Sequence, residues 1–116
     1  DESGMRRLRI VAEPNAGGRL QITDVVAEAT RASRTAGISF NVSRDAQVAV
    51  RVLSLNGRPV RSVGSDRAVT RGINKVTWDL RAQDGRQVPR GMYLCEIIAR
   101  TEDGEMSRAV SPMYVR

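Results

Sequence analysis

Apolar and polar residues alternate along most of this chain, and turn-forming dipeptides break the alternation at intervals of about 8 to 12 residues, the pattern of an antiparallel β-sandwich. Leu8, Ile10 and Ala12 alternate with polar or basic neighbours up to Pro14, and Asn15 to Gly18 forms a turn. Leu20 and Ile22 open a second segment that runs through Val25, Val26 and Ala27. Val26, Ala27 and Ala29 also fit a helix there, although a helical period is not sustained. Ile38, Phe40 and Val42 define one face of a third strand that stops near Asp45. Val48, Val50 and Val52 define one face of a fourth, and these two strands are expected to carry much of the core.

Asn56-Gly57 follows this run and precedes Pro59 and Val60, so a type I′ hairpin is expected, a turn that needs positive φ at both central residues. Gly64 to Arg67 is polar and reads as a mobile connection, after which Val69, Val76 and Trp78 mark the next strand. Gly91 introduces Met92 to Ala99, in which Tyr93, Cys95, Ile97 and Ala99 share a face. Asp103-Gly104 turns the chain, and Ala109 to Val115 closes the sheet. The fold class expected is all-β, an Ig/fibronectin III-like antiparallel β-sandwich of about 7 to 8 strands. Residues 1–5 read as a linker and residues 6–116 as a single domain, a size that holds one core and not two.

The densest motif runs from Gly72 to Tyr93: Gly72, Asn74, Val76, Trp78-Asp79, Asp84-Gly85, Val88-Pro89, Gly91 and Tyr93. Gly72 and Gly85 suit turns where a Cβ would clash, and Asn74 is placed to hydrogen-bond local backbone. Trp78 alternates with polar Lys75, Thr77 and Asp79, so its expected place is between the sheets with its indole N–H satisfied. A sugar-stacking platform is the alternative for Trp78, and it would present an exposed ring with Tyr114 beside it.

With Phe40, the alternating valines 48, 50 and 52, and Gly57-Arg58-Pro59-Val60-Arg61, this motif resembles the C-terminal Ig-like domain of the flagellar hook-capping (FlgD) family over about residues 36–115. The same pattern is similar to the C-terminal sorting domains of type IX secretion. Both resemblances imply a non-catalytic module. Hook-capping proteins carry a second small β-domain inserted in the Ig-like part and an N-terminal hook-binding region, and 116 residues hold neither. The segment from Arg6 to Thr35 reads as an additional leading strand pair, and the ending Met113-Tyr114-Val115-Arg116 is compatible with the short basic ending of sorting domains.

Composition narrows the chemistry. The net charge is +6, and all 19 basic residues except Lys75 are arginines, scattered singly apart from Arg6, Arg7 and Arg9. Scattered charge reads as a solvated surface rather than a polyanion site. With four aromatic residues, three of them (Phe40, Trp78, Tyr93) at core positions, nucleic-acid binding is not expected. The chain lacks histidine, and so lacks the commonest general base and zinc ligand. Cys95 is the single cysteine, reading as a buried, inert thiol. Asp79 and Asp84, with Asp66 or Asp103, match no EF-hand spacing and read as turn residues rather than calcium ligands. Asn41-Val42-Ser43 fits a glycosylation sequon but falls inside a core strand.

The expectation is therefore no enzyme, no catalytic, metal or cofactor-binding residue and no cofactor. No apolar run approaches the roughly 18 residues of a spanning helix, so membrane insertion is not expected. The polar start Asp1-Glu2-Ser3-Gly4 implies that the signal of an exported parent lies outside this sequence. The expected partners are other domains of the parent protein, a secretion machinery or an assembly reached by strand addition at an exposed edge, the first or last strand, and an acidic cell-surface glycan facing the arginines. The expected location is extracellular or on the cell surface. The function expected is that of a C-terminal module of a larger exported bacterial protein, used in anchoring, sorting or assembly. The alternatives are a carbohydrate-binding accessory module and a flagellar hook-assembly domain.

Overall fold

In the computed structural model, residues 19–30, 32 and 34–116 are described. The expected strand at Leu8 to Ala12, its turn and the cluster Arg6, Arg7 and Arg9 lie outside them. The described residues form seven strands and no helix: β1 Ile22–Thr30, β2 Thr35–Val42, β3 Ala46–Leu53, β4 Pro59–Val69, β5 Gly72–Trp78, β6 Gly91–Arg100 and β7 Met106–Val115. They join in the order β4-β3-β6-β7-β1-β2-β5. Every described pairing between strands is antiparallel except that of β1 with β7, which is parallel and rests on one register pair, Ala29 with Val115. That joint divides the sheet into a four-stranded part and a three-stranded part, whose buried faces share one core cluster.

Alternation is what makes these strands. Ala36, Ile38, Phe40 and Val42 on β2, Val48, Val50 and Val52 on β3, and Cys95, Ile97 and Ala99 on β6 are all buried and enter the same cluster. A β-strand sends successive side chains to opposite faces, so one face of each strand is removed from water.

β1 is a strand and not the alternative helix. Its pairing with β2 shifts between Thr23 and Val26, where Asp24 takes φ of 54°. This bulge changes the parity of the strand. Ile22 packs on the core before it, Val25 and Ala27 after it, and the resulting spacing of three imitates a helical step.

Three other expectations change. Gly64 to Arg67 is not a loop: it lies within β4, where Arg67 opposes Val48 and Gly64 opposes Val50, three steps against two, with Asp66 at φ 52° taking up the extra residue. Val69 does not share a strand with Val76 and Trp78. It ends β4, and Gly72 begins β5 after a turn that Asn74 secures by donating from Nδ2 to the carbonyls of Thr70 (2.9 Å) and Gly72 (3.2 Å). Among the described residues the ends of the hydrogen-bonded order are β4 and β5 rather than the last strand, β7, which has its second described strand partner only at Val115; the first expected strand lies outside them.

The Asn56-Gly57 turn is not type I′. Gly57 has φ of 87°, while Asn56 is not in the left-handed region. Gly57 N–H donates to Ser54 O and Ser54 N–H to Arg58 O, which is a type I turn closed by a glycine bulge. The same two bonds recur at Ala82-Gln83-Asp84-Gly85-Arg86 and at Thr101-Glu102-Asp103-Gly104-Glu105, with Gly85 at 89° and Gly104 at 95°. The residue before each glycine, Asn or Asp, accepts locally: Asn56 from the Ser54 hydroxyl, Asp84 from Arg86 N–H, and Asp103 from the Thr101 hydroxyl.

Candidate functional site

The glycine-rich motif builds a corner where β5 leaves the three-stranded part and the chain crosses to β6. Trp78 is 1% exposed, and its Nε1–H donates to Arg81 O at 2.9 Å. Asp79 Oδ1 accepts from Arg81 N–H at 3.1 Å, and Arg61 bridges Asp79 Oδ1 to the carbonyls of Arg81 and Ala82. Val88 N–H donates to Leu80 O, and Tyr93 Oη–H donates to Pro89 O at 2.6 Å. Every polar atom named here holds backbone in place, which explains why the motif has its spacing.

Trp78 is therefore a core residue and offers no stacking surface. The exposed aromatic among the described residues is Tyr114, at 51%, with the Arg116 guanidinium 5.8 Å from its ring centre. Cys95 is fully buried, and desolvation, with a smaller contribution from the Glu96 charge, pushes its thiol up to about 11. Such a thiol is almost entirely protonated at neutral pH and is a poor nucleophile. Among the described residues no three His, Cys, Asp or Glu side chains gather as a metal site would require. Asp103 is bound by Thr101 and Arg44, and those hydrogen bonds hold its carboxyl below the usual range. A shallow concavity is lined by Arg34, Leu80, Arg81 and Gln87, and Arg81 already donates to Gly85 O.

The outer face of the four-stranded part holds a feature that sequence reasoning missed. Glu96 lies on the side of β6 opposite Cys95 and Ile97, yet it is only 3% exposed. Arg51, directly across on β3, donates Nε–H to Oε1 at 2.7 Å, and its Nη2 lies 2.6 Å from the same oxygen. Arg108 on β7 donates Nε–H to Oε2 at 2.7 Å. Burial alone would raise the carboxyl's pKa, but the two guanidiniums outweigh it and hold Glu96 below the ordinary value.

Apolar side chains surround this triad. In register across the three strands, Leu53 meets Leu94 and Leu94 meets Pro112 on one side of Glu96. On the other side, Ala49 meets Ile98. Glu96 itself faces Val110, and Met92 faces Tyr114. Four of the exposed large hydrophobic residues, Met92, Met106, Val110 and Tyr114, belong to β6 and β7. The corresponding face of the three-stranded part is more polar: Ser39 is paired with Lys75, Gly37 with Thr77 and Glu28 with Gly37, and Ile73 and Val26 are its exposed apolar projections.

No protein-family model matches the chain, and no curated protein matches it. Solved structures do. Dimeric latent PorU from Porphyromonas gingivalis superimposes with a TM-score of 0.68 at 18% identity, over 91% of this chain and 10% of PorU. FlgD from P. aeruginosa superimposes with a TM-score of 0.62 at 22% identity, over 84% of this chain and 74% of FlgD. CopC from Methylosinus trichosporium OB3b gives 0.53 at 13% identity, over 84% of this chain and 93% of CopC. The chain thus spans about a tenth of the length of latent PorU. At these identities the common property is the fold, and the chain has the FlgD-type, Ig-like β-sandwich fold that its Gly72 to Tyr93 motif implies.

Proposed function

We propose that residues 6–116 are a non-catalytic Ig-like module of a larger exported or cell-surface bacterial protein, placed at its C-terminal end and serving anchoring, sorting or assembly. The observation that carries this reading is the burial of Trp78 within a corner whose polar groups all hold backbone. The motif's conspicuous residues are thereby accounted for structurally, and function is left to the surfaces of the sheet. The likeness to a tenth of latent PorU supports attachment to a much longer chain. A carbohydrate-binding module is disfavoured by the same burial, since Tyr114 remains as the exposed ring. A hook-assembly role draws its support from the overlap with 74% of FlgD.

The experiment is mass spectrometry of the C-terminal end of the mature parent protein, recovered separately from the cell surface and from the medium of its native host. Loss of the module from the mature protein identifies a sorting signal that is removed after export. Retention on surface material identifies a permanent anchoring or assembly domain. Recovery of the parent with isolated hook structures establishes the hook-assembly role instead.

A further inference from the structure

We infer that the outer face of β3, β6 and β7, centred on Glu96, is a docking surface for an acidic, apolar-containing segment of a partner protein. The inference rests on reading the chain as an interaction module and names the face it uses. Two arginines converge on one carboxylate, so the triad carries a surplus positive charge. Arg108 spends only its Nε–H on Glu96, and its side chain is 59% exposed, while that of Arg51 is 42% exposed. Arg100 on β6 adds a third cation at the end of the same face. Glu96 fixes Arg51 and Arg108 before any partner arrives, which lowers the ordering cost of binding a carboxylate to them.

The apolar residues beside the arginines select the kind of anion. Val110 faces Glu96 across the strands, Met92 and Tyr114 pair further along, and Met106 pairs with Arg100. A fully hydrophilic polyanion would leave these side chains uncovered, whereas a protein segment carrying both carboxylates and apolar side chains covers them. A second copy of the chain is a poor occupant, because it would set this basic face against another. The chain's own first 18 residues are no better matched, since Arg6, Arg7 and Arg9 offset Asp1, Glu2 and Glu13 and leave the segment no net negative charge to bring to a basic face.

The test is selection of a random twelve-residue peptide library on the folded chain, followed by amide NMR mapping with the enriched peptides made synthetically. The expected peptides combine at least two carboxylates with apolar residues. Their shifts centre on Ala49, Leu94, Ile98 and Val110, sparing Ser39 and Lys75. Arg108→Glu weakens binding about tenfold or more, the order of one close charge pair, and added salt weakens it further. Val110→Ser, which leaves the triad intact, weakens binding severalfold and guards against misfolding of the first variant. Failure to enrich acidic peptides overturns the proposal, as does self-association with shifts on this face in the absence of peptide. Shifts along β5 overturn it too, but in favour of strand addition, and they leave the interaction-module reading standing.

Discussion

Trp78 and Tyr93 meet edge to face, with ring centroids 6.2 Å apart and planes inclined at 70°. Each ring also ties down backbone on its far side, Trp78 at Arg81 and Tyr93 at Pro89, so the pair fastens β5 and β6 to the loop between them. Trp78→Ala should cost about 3–5 kcal/mol, the usual range for emptying a buried aromatic site. Trp78→Phe keeps most of the volume but removes the shorter of the two hydrogen bonds to the Arg81 carbonyl, leaving it the Arg61 guanidinium at 3.2 Å, and should cost about 1–2 kcal/mol. Urea unfolding followed by circular dichroism measures both. As the single tryptophan, Trp78 should also give a blue-shifted emission that iodide quenches poorly until the chain unfolds. Ready quenching in the folded chain would contradict its burial.

The Glu96 carboxyl is held below its ordinary value in the folded chain, so the sign of its linkage is fixed. Its contribution to stability is complete above the unfolded pKa of about 4.3 and disappears as pH falls through the lower folded value. Acid should therefore destabilise the chain below about pH 4, and Glu96→Gln should flatten that part of the profile. At neutral pH the substitution leaves two half-solvated arginines without their counter-ion, at a cost of about 1–3 kcal/mol. Urea titrations at pH 3, 4, 5 and 7 on both proteins decide the matter, and an unchanged acid limb in Glu96→Gln would refute it.

How much of this was legible beforehand follows from which interactions are local. Phe40, Trp78 and Cys95 could be placed in the core because a strand's period of two assigns faces without knowledge of its neighbours. The bulges at Asp24 and Asp66 were hidden, since neither residue is a glycine and each takes positive φ only because the strands beside it fix the register. The Asn56-Gly57 pair signals the hairpin but not its turn type: the two residues fit type I′, and the loop length set by the Ser54 and Arg58 pairing selects the type I turn with a glycine bulge. The role of Glu96 is not legible in the sequence, because it depends on Arg51, 45 residues away, and on a pairing register that composition does not reveal. A glutamate flanked by Cys95 and Ile97 in a buried central strand was the available signal.

The three matching turns make a further prediction. Gly57, Gly85 and Gly104 all occupy the left-handed region with open space where a Cβ would stand, so the obstacle to substitution is backbone conformation alone. Alanine at any one of them should cost about 1–2 kcal/mol. Gly37 provides the contrast: it lies in β2, and an added Cβ would meet only the end of the Lys75 side chain, Cε at 3.2 Å and Nζ at 3.7 Å, a flexible group that can move aside. Gly37→Ala should be neutral or stabilising by up to about 1 kcal/mol, because alanine loses less freedom on folding than glycine. Thermal unfolding of the four variants tests the ranking, and equal losses at Gly37 and Gly85 would refute it.

Cys95 gives a chemical test of the core. Its thiol is pushed up from 9.0 to about 11, so the folded chain favours the neutral form. That preference stabilises fully below the unfolded value and is lost as pH rises through the folded one, which places an alkaline loss of stability between about pH 9 and pH 11. Cys95→Ala should lack this limb while costing about 1 kcal/mol at neutral pH for the lost sulfur packing. At pH 8 a disulfide reagent should label the folded chain far more slowly than the unfolded chain, with a rate that rises with urea in step with the unfolded fraction. Rapid labelling in the absence of urea would mean that β6 opens readily, and the strand that carries Glu96 would then be too mobile to hold Arg51 and Arg108 in place.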